Sequence, residues 1–396
     1  MRILYGYSNC TDKTFQKIFN ERKVAELLPD QKYHSLLIRG LSENGAKIYC
    51  FSGLPVNRAV TSRKLVREKD YREGKAYFHY ITTLNFPVIR QLMIFFGTFF
   101  GVLTAKKDSD TFAMCDCLNL SNAYGMTLAA RIRRIPVVSI VTDLPVMQRK
   151  SRFATFVNNL LFKMSDAFVI LTAMMNQKVN QKNKPSIVLE GHVDSMAPTP
   201  EIRKPYEVTE GIKTLLYAGS LKRIYGIDYL VRGFVKADIP DAQLRVYGDG
   251  DFKEELLRLC EMYPSVKYMG VRDNAHIVEE EQKASLLINP RPIAPEYTKY
   301  SFPSKNMEYM VSGTPLLTTG LPGMPEEYYP YVYIMGEETP DNAAKVIKKI
   351  LDTPLSDRQK KGMAAREFVL QNKSNVIQAK KILEFLDYSV RKNNGT

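Results

Sequence analysis

Short apolar segments of strand length alternate with amphipathic helical stretches along nearly the whole chain, and no other feature restricts the fold as much. A strand that must rejoin its neighbour in parallel needs a crossover of a dozen residues or more, so this alternation predicts helices packed on parallel sheets. In the first half the strand-like segments lie near Arg2–Tyr7, Lys47–Phe51, Thr111–Cys115, Val137–Val141, Ala167–Leu171 and Ser186–Leu189. The pattern stops at APTPEIRKPYEVTE, Ala197–Glu210, which is rich in proline and charge and reads as a linker. It restarts with KTLLYAG, QLRVYG, SVKYMG, ASLLINP and TPLLTT, and beyond Pro340 everything reads as helix. The expected architecture is therefore α/β with two doubly wound, Rossmann-like domains over 1–195 and 211–375. A linker at 196–210 joins them, and a last helix over 376–396 is free to return to the first domain. At 396 residues the chain exceeds a single core, which agrees with two domains.

Charge separates the two halves. Residues 1–195 carry 28 Lys and Arg against 15 Asp and Glu, whereas residues 196–396 carry 28 against 27. A net +13 on one domain asks for an anionic partner: nucleic acid, an acidic membrane surface or a phosphorylated acceptor. No nucleic-acid module or basic-aromatic repeat is recognisable. Five scattered cysteines form no zinc pattern, so reduced thiols in a cytoplasmic protein are expected, and Met1-Arg2 runs straight into a strand with no signal-peptide pattern. The run Leu92–Ala105 has 14 uncharged residues, fewer than the ~20 of a bilayer span. It reads as a core helix, with an interfacial patch as the second reading, favoured by the basic Arg63, Lys64, Arg67, Arg72 and Lys75 nearby.

The segment YSFPSKNMEYMVSGTPLLTT, Tyr300–Thr319, carries the most chemistry. Pro303 suits a first helical position, and Gly313 with Pro315 stops the helix about ten residues later. A helix N-terminus offers free N–H groups and partial positive charge to an anion. Ser304 adds a hydroxyl and Lys305 a full charge, while Glu308 lies at i+4 from Ser304 on the same face. Phosphate ligands followed by a carboxylate one turn deeper would suit a nucleoside diphosphate and its ribose diol. The alternative is an ordinary surface helix with solvated Lys and Glu.

Tandem doubly wound sheets bind ligands at the carboxyl ends of their strands. There YAGSLKRIYGIDYL supplies Gly219, Ser220, Lys222 and Arg223, either a second phosphate contact or a glycine turn with solvated cations. VYGDGD and Asp108-Ser109-Asp110 are weak matches to a metal-binding Asp pair and read equally as turns. In the first domain VTDLP puts Asp143 at a strand end, for acceptor binding and proton acceptance or for capping a helix. His192 is a further candidate for acceptor binding, and the other histidines read as structural or surface residues.

In that order, LLYAGSLKRIYGIDYLVRGF, LRVYGDGDFKEEL, VKYMGVRDNAHI, ASLLINPRP and YSFPSKNMEYMVSGTP resemble the donor-binding half of GT-B glycosyltransferases, specifically family 4, over Lys213 to about Thr319. The first half is similar only through strand order and VTDLP. The resemblance implies a GT-B fold and transfer of a sugar, with retention, from a nucleoside-diphosphate sugar to a glycan or polyprenyl-diphosphate-linked acceptor in cell-surface polysaccharide synthesis. No metal or other cofactor is implied. Glu308 would be the second glutamate of the E-x7-E motif, and Tyr300 stands where the first is expected, with Glu296 upstream as a stand-in. Ser220 and Tyr225 occupy positions where members place Arg and Lys, so Arg223, Lys305 and Ser304 would meet the phosphates, with Gly219 beside them. Val271 and Arg272 fall in the base-contacting loop. Asp143, Tyr300, Lys305 and Arg223 are thus the catalytic candidates. The site is expected at the inner face of the cell membrane, held there by the basic first domain. A nucleotide-sugar epimerase and a non-catalytic nucleotide-sugar-binding subunit are the competing functions.

Overall fold

The computed structural model describes residues 1–8, 10–19, 29–56, 61–144, 152–199 and 211–391, so most of the linker, from 200 to 210, lies outside the described residues. The chain divides into two compact units, 1–192 together with 374–396, and 193–373.

Unit 1 is built on an eight-stranded sheet. Its strands are β1 (Arg2–Gly6), β2 (Lys47–Ser52), β3 (Tyr71–Glu73), β4 (Ala76–Tyr80), β5 (Thr111–Asp116), β6 (Val137–Val141), β7 (Ala167–Ile170) and β8 (Ser186–Val188), in the order β8-β7-β6-β5-β1-β2-β4-β3. All pairings are parallel except β3 with β4. Ile3 lies in register with Ile48 on one side and Phe112 on the other. Strands β1, β5, β6 and β7 are buried along their whole length, which is why they are continuous apolar runs in the sequence. The β3–β4 hairpin does not stand out in the sequence because YREGKAYFHY is an edge, alternating buried Ala76, Phe78 and Tyr80 with more exposed neighbours after Gly74.

Helix α1 (Asp12–Phe19) follows β1, and α2 (Pro29–Glu43) leads into β2. The C-terminal helix, Asn375–Phe385, packs on α2 so closely that a side chain at Gly40 would collide with the Asn375 carbonyl. Ile382 and Leu386 thereby join the same core as Leu37, Ile48 and Phe78.

Three more helices of unit 1 form one layer: α3 (Pro87–Thr104), α4 (Leu120–Ile132) and α5 (Arg152–Met164). The core-helix reading of Leu92–Ala105 needs correction. Ile94, Thr98 and Val102 are buried, yet Leu92, Phe96 and Phe100 are 52%, 49% and 57% exposed. By length and composition α3 is long and apolar enough to cross a membrane.

Unit 2 has a six-stranded, wholly parallel sheet of β9 (Lys213–Ala218), β10 (Ala242–Tyr247), β11 (Val266–Gly270), β12 (Leu286–Asn289), β13 (Leu316–Thr318) and β14 (Tyr333–Ile334), ordered β11-β10-β9-β12-β13-β14. The helices between are α6 (Ile227–Ala237), α7 (Lys253–Met262), α8 (Asn274–Lys283) and α9 (Ser304–Val311), followed by α10 (Pro340–Asp352) and α11 (Leu355–Lys373). The sixth strand, only two residues long, was not evident in the sequence because it carries no run to recognise.

Candidate functional site

The carboxyl ends of β9, β12 and β13 meet the first turn of α9, and buried polar side chains hold them together. Asn306 on α9 accepts from the Asn289 amide at 2.7 Å and donates to Thr318 Oγ1 at 3.1 Å. Tyr309, fully buried, accepts from the Ala218 N–H at 2.9 Å and donates to the same residue's carbonyl at 3.2 Å. The helix begins at Ser304, directly after Pro303, and no side chain caps its first N–H groups; Gly313, at φ +79°, closes its far end. This N-terminus is fixed in position with donors to offer.

Lys305 sits where the strand and the helix converge. Its ammonium lies 5.4 Å from the Tyr309 ring centroid, and a β-carbon on Gly219 would be 3.2 Å from Lys305 Cε. Glycine at 219 therefore leaves room for the lysine stem beside the strand end. The loop holding Gly219 and Ser220 is fixed in turn. Tyr217 donates to the Ser220 carbonyl at 2.7 Å, Gly219 N–H to Tyr247 O at 3.0 Å, and Leu221 N–H to Asp249 O at 2.8 Å. Gly248, at φ +129°, lies against the Gly219 carbonyl with no space for a side chain. That close approach explains the Gly-Asp-Gly stretch better than metal binding does. Asp251 accepts from Arg223 N–H at 2.8 Å, Asp249 from Gly250 N–H at 3.0 Å, and Asp108 pairs with Arg2 at 2.8 Å. Among the described residues no group of three His, Cys, Asp or Glu is placed to hold a metal ion.

Arg291 was missed in the sequence. It follows β12 by two residues, and its guanidinium carbon lies 4.9 Å from the Tyr297 ring and 5.5 Å from the Tyr225 ring. Its loop is drawn in by Tyr229, which donates to the Pro290 carbonyl at 2.6 Å, and by Gly226, at φ +82°, packed on that carbonyl. Burial pushes the Tyr217 phenol well up, with Tyr225 adding and Arg291 opposing. Arg291 Nε, Tyr297 Oη and Ser301 Oγ are enclosed and lack hydrogen-bond partners among the described residues. Three unsatisfied polar atoms in one loop are a place where a polar ligand would repay its desolvation. The signal was available, since INPRP places an arginine at a strand's carboxyl end, the position where such sheets bind ligands.

Arg223 departs from its expected role. Its guanidinium is bonded to Glu255 and rests on the Phe252 ring at 4.9 Å, and Glu255 also binds Arg232. The hydrogen bond from Arg223 holds the Glu255 carboxyl below its ordinary range. Arg223 thus closes a surface ion-pair cluster, Lys222 beside it is exposed, and Lys305 and Arg291 are cations beside the strand ends. Ser304 is exposed, and Glu308 and Tyr300 are half-buried on the same segment as Lys305. Val271 and Arg272 follow β11 after Gly270 and are exposed.

In unit 1, Asp143 is half-buried two residues past β6 and accepts from Leu144 N–H at 2.7 Å. His192 is occupied structurally: its Nε2 lies 2.8 Å from the Tyr33 carbonyl and its ring 4.5 Å from the Tyr33 ring. A fully buried chain lies behind the strand ends. Tyr5 Oη and His34 Nδ1 are 2.5 Å apart, and His34 Nε2 is 3.0 Å from Asp116, which also accepts from Leu118 N–H and Thr142. This secures the turn that carries Asp143.

Two sheets of this topology, each flanked by helices, with a helix N-terminus and cations at the strand ends of the second, define the GT-B fold. Residues 212–353 match the family model described as glycosyl transferases group 1. Among solved structures, sucrose-phosphate synthase from Thermosynechococcus elongatus is similar at 13% identity and a TM-score of 0.67, over 98% of this chain and 99% of that one. HepE of Anabaena in complex with UDP is similar at 14% identity and 0.66, over 98% and 100%. The lipopolysaccharide outer core galactosyltransferase WaaB is similar at 12% identity and 0.61, over 98% and 99%. No curated protein sequence matches the chain.

Proposed function

We propose that this protein is a glycosyltransferase that takes its sugar from a nucleoside-diphosphate sugar bound at the strand ends of unit 2. The observation that carries the reading is the Lys305 stem lying along Gly219 at an uncapped helix N-terminus, with Arg291 offering a second cation on the neighbouring loop. The UDP bound by HepE supports a nucleotide donor of this kind. Leaving-group stabilisation then accounts for catalysis. As an acceptor oxygen bonds to the anomeric carbon, the bond from that carbon to the diphosphate breaks and its electron pair passes to the phosphate oxygen. The α9 N–H groups, Ser304, Lys305 and Arg291 are donors fixed beforehand where that charge develops. Such a set needs no metal. Glu308 receives the ribose diol, Val271 and Arg272 flank the base, and Tyr300 with Glu296 face the sugar. In the acceptor domain, Asp143 is the group for the acceptor hydroxyl and its proton.

The remaining parts of the proposal are transfer with retention and a glycan or polyprenyl-diphosphate-linked acceptor in cell-surface polysaccharide synthesis at the cytoplasmic side of the membrane. The +13 balance of residues 1–195 supports an anionic surface or acceptor. Thermal melting against a panel of nucleotide sugars tests the donor. A selective rise in melting temperature, with nucleoside diphosphate released only when an acceptor is added, is expected. A converted donor without acceptor would mark an epimerase, and binding without turnover a non-catalytic subunit.

A further inference from the structure

We infer that the outer face of the α3–α4–α5 layer is a docking surface for an anionic lipid bilayer, on which unit 1 lies without being crossed by it. The inference rests on the membrane-side reading above for its purpose, and on different observations for its evidence. On α3, Leu92, Phe96 and Phe100 recur every four residues and are about half exposed each, so they form one stripe. On α5, Phe153, Phe156 and Leu160 follow the i, i+3, i+7 pattern and are 75%, 65% and 43% exposed. The two stripes lie on helices that α4 bridges into one layer. Its Gly125 is pressed against the Phe95 carbonyl of α3, and its Tyr124 donates to the Val157 carbonyl of α5. Ile132, 66% exposed, continues the apolar surface on α4. An apolar face of this extent exceeds the scattered exposed hydrophobics of ordinary surfaces.

The occupant follows from charge and packing. The sequences of α3, α4 and α5 contain no Asp or Glu. Arg90, the one charged residue of α3, is turned inward and donates to the Leu54 carbonyl. Exposed Lys106 and Lys163 stand at the C-terminal ends of α3 and α5. A second copy of this chain docked by the same face would find no carboxylate on the three helices to meet Lys106 and Lys163. An anionic bilayer complements both properties, with headgroups for the lysines and an acyl boundary for the aromatic stripes. Crossing is opposed by packing. Gly53, Gly97 and Gly101 are held against Ile94, Ile81 and Phe51 with no space for a side chain. Extracting α3 would open the core of unit 1.

The test is co-sedimentation of the full chain with vesicles of phosphatidylcholine and phosphatidylglycerol, at about 0.1 M and about 1 M salt, where the screening length falls from about 10 Å to about 3 Å. The wild type is expected to pellet at low salt and to stay partly bound at high salt. Phe96→Ser with Phe100→Ser, and separately Phe153→Ser with Phe156→Ser, are expected to lower the partition coefficient at least about tenfold while the protein still melts cooperatively, with the smaller loss of melting temperature in the more exposed α5 pair. Lys106→Glu with Lys163→Glu is expected to weaken binding at low salt only. Vesicle binding unchanged in both serine pairs overturns the inference. So does a wild type that ignores vesicles, whether it sediments as a dimer through this face or stays monomeric as a protein-partner surface would. The melting shift with nucleotide sugars is read on the same samples. A retained shift without vesicle binding defeats this inference alone, and vesicle binding without any shift defeats the proposed donor alone.

Discussion

Replacing Lys305 with methionine isolates its charge, because methionine keeps an apolar stem of similar reach beside Gly219 and Tyr309. A charged hydrogen bond to a diphosphate is worth about 1.5–3 kcal/mol. Part of this is offset. In the free protein the ammonium lies 5.4 Å from the Tyr309 ring, a contact worth about 0.5–1 kcal/mol that binding weakens and that methionine lacks in both states. The net loss is about 0.5–2.5 kcal/mol, or about 2- to 70-fold in Kd. Calorimetric titration with a nucleoside diphosphate and with the matching nucleoside measures it. The diphosphate should weaken by that factor while the nucleoside holds its affinity, and the ligand-free melting temperature should move little, since Lys305 is only half-buried. Equal weakening of both ligands would refute the placement of Lys305 at the phosphates, and so would no weakening of either.

Three further outcomes are expected. Glu308→Gln should keep the melting temperature but raise the donor KM, because an amide offers a ribose diol one acceptor oxygen in place of two; unchanged steady-state kinetics would return Glu308 to the solvated surface. Gly248→Ala should destabilise unit 2 by about 1–3 kcal/mol through its φ of +129° alone, with the contact on the Gly219 carbonyl adding to this, and lower Tm by several degrees in calorimetry; a wild-type melt would show that the loop adjusts freely. Burial pushes the Cys115 thiol up to about 12, so iodoacetamide near pH 8 should leave it unlabelled in the folded protein. The neutral thiol's contribution to stability is then complete below its ordinary value of 9.0 and declines as pH rises toward about 12, which urea melts across that window would follow.

The sequence revealed what repeats and hid what depends on meeting. Central strands buried on both faces had to be apolar runs, and eleven segments could be read along the chain, while the β3–β4 edge and the two-residue β14 escaped. Pro303 and Gly313 marked α9 because both act locally, one by its fixed φ and the other at φ +79°. Arg223 and Arg291 show the limit. Both are arginines shortly after a strand, and nothing local distinguishes them. Only the fold brings Glu255 from α7 to neutralise the first, and Tyr225 and Tyr297 to flank the second. Helix α3 was misjudged for a related reason: an apolar composition says that a helix avoids water without saying what covers it.

The basic balance of the first half and the apolar face of α3 to α5 are two separate properties that one setting would satisfy. Charge alone draws a protein to an anionic surface reversibly, at about 1 kcal/mol per basic residue close to it, and salt removes the attraction. Apolar side chains alone hold a protein at any interface without choosing its sign. An acceptor carried on a lipid requires residence at the membrane and freedom to leave each acceptor after transfer, which a spanning helix would restrict and charge alone would leave hostage to ionic strength. On the docking inference, a helical layer with Gly97 and Gly101 packed against Ile81 and Phe51 would present its aromatic side chains at a set depth, and the exposed lysines at the ends of α3 and α5 would select the leaflet. On that argument high salt should loosen the protein from vesicles without releasing it, and removing the phenylalanines should weaken its hold at low salt and release it at high salt.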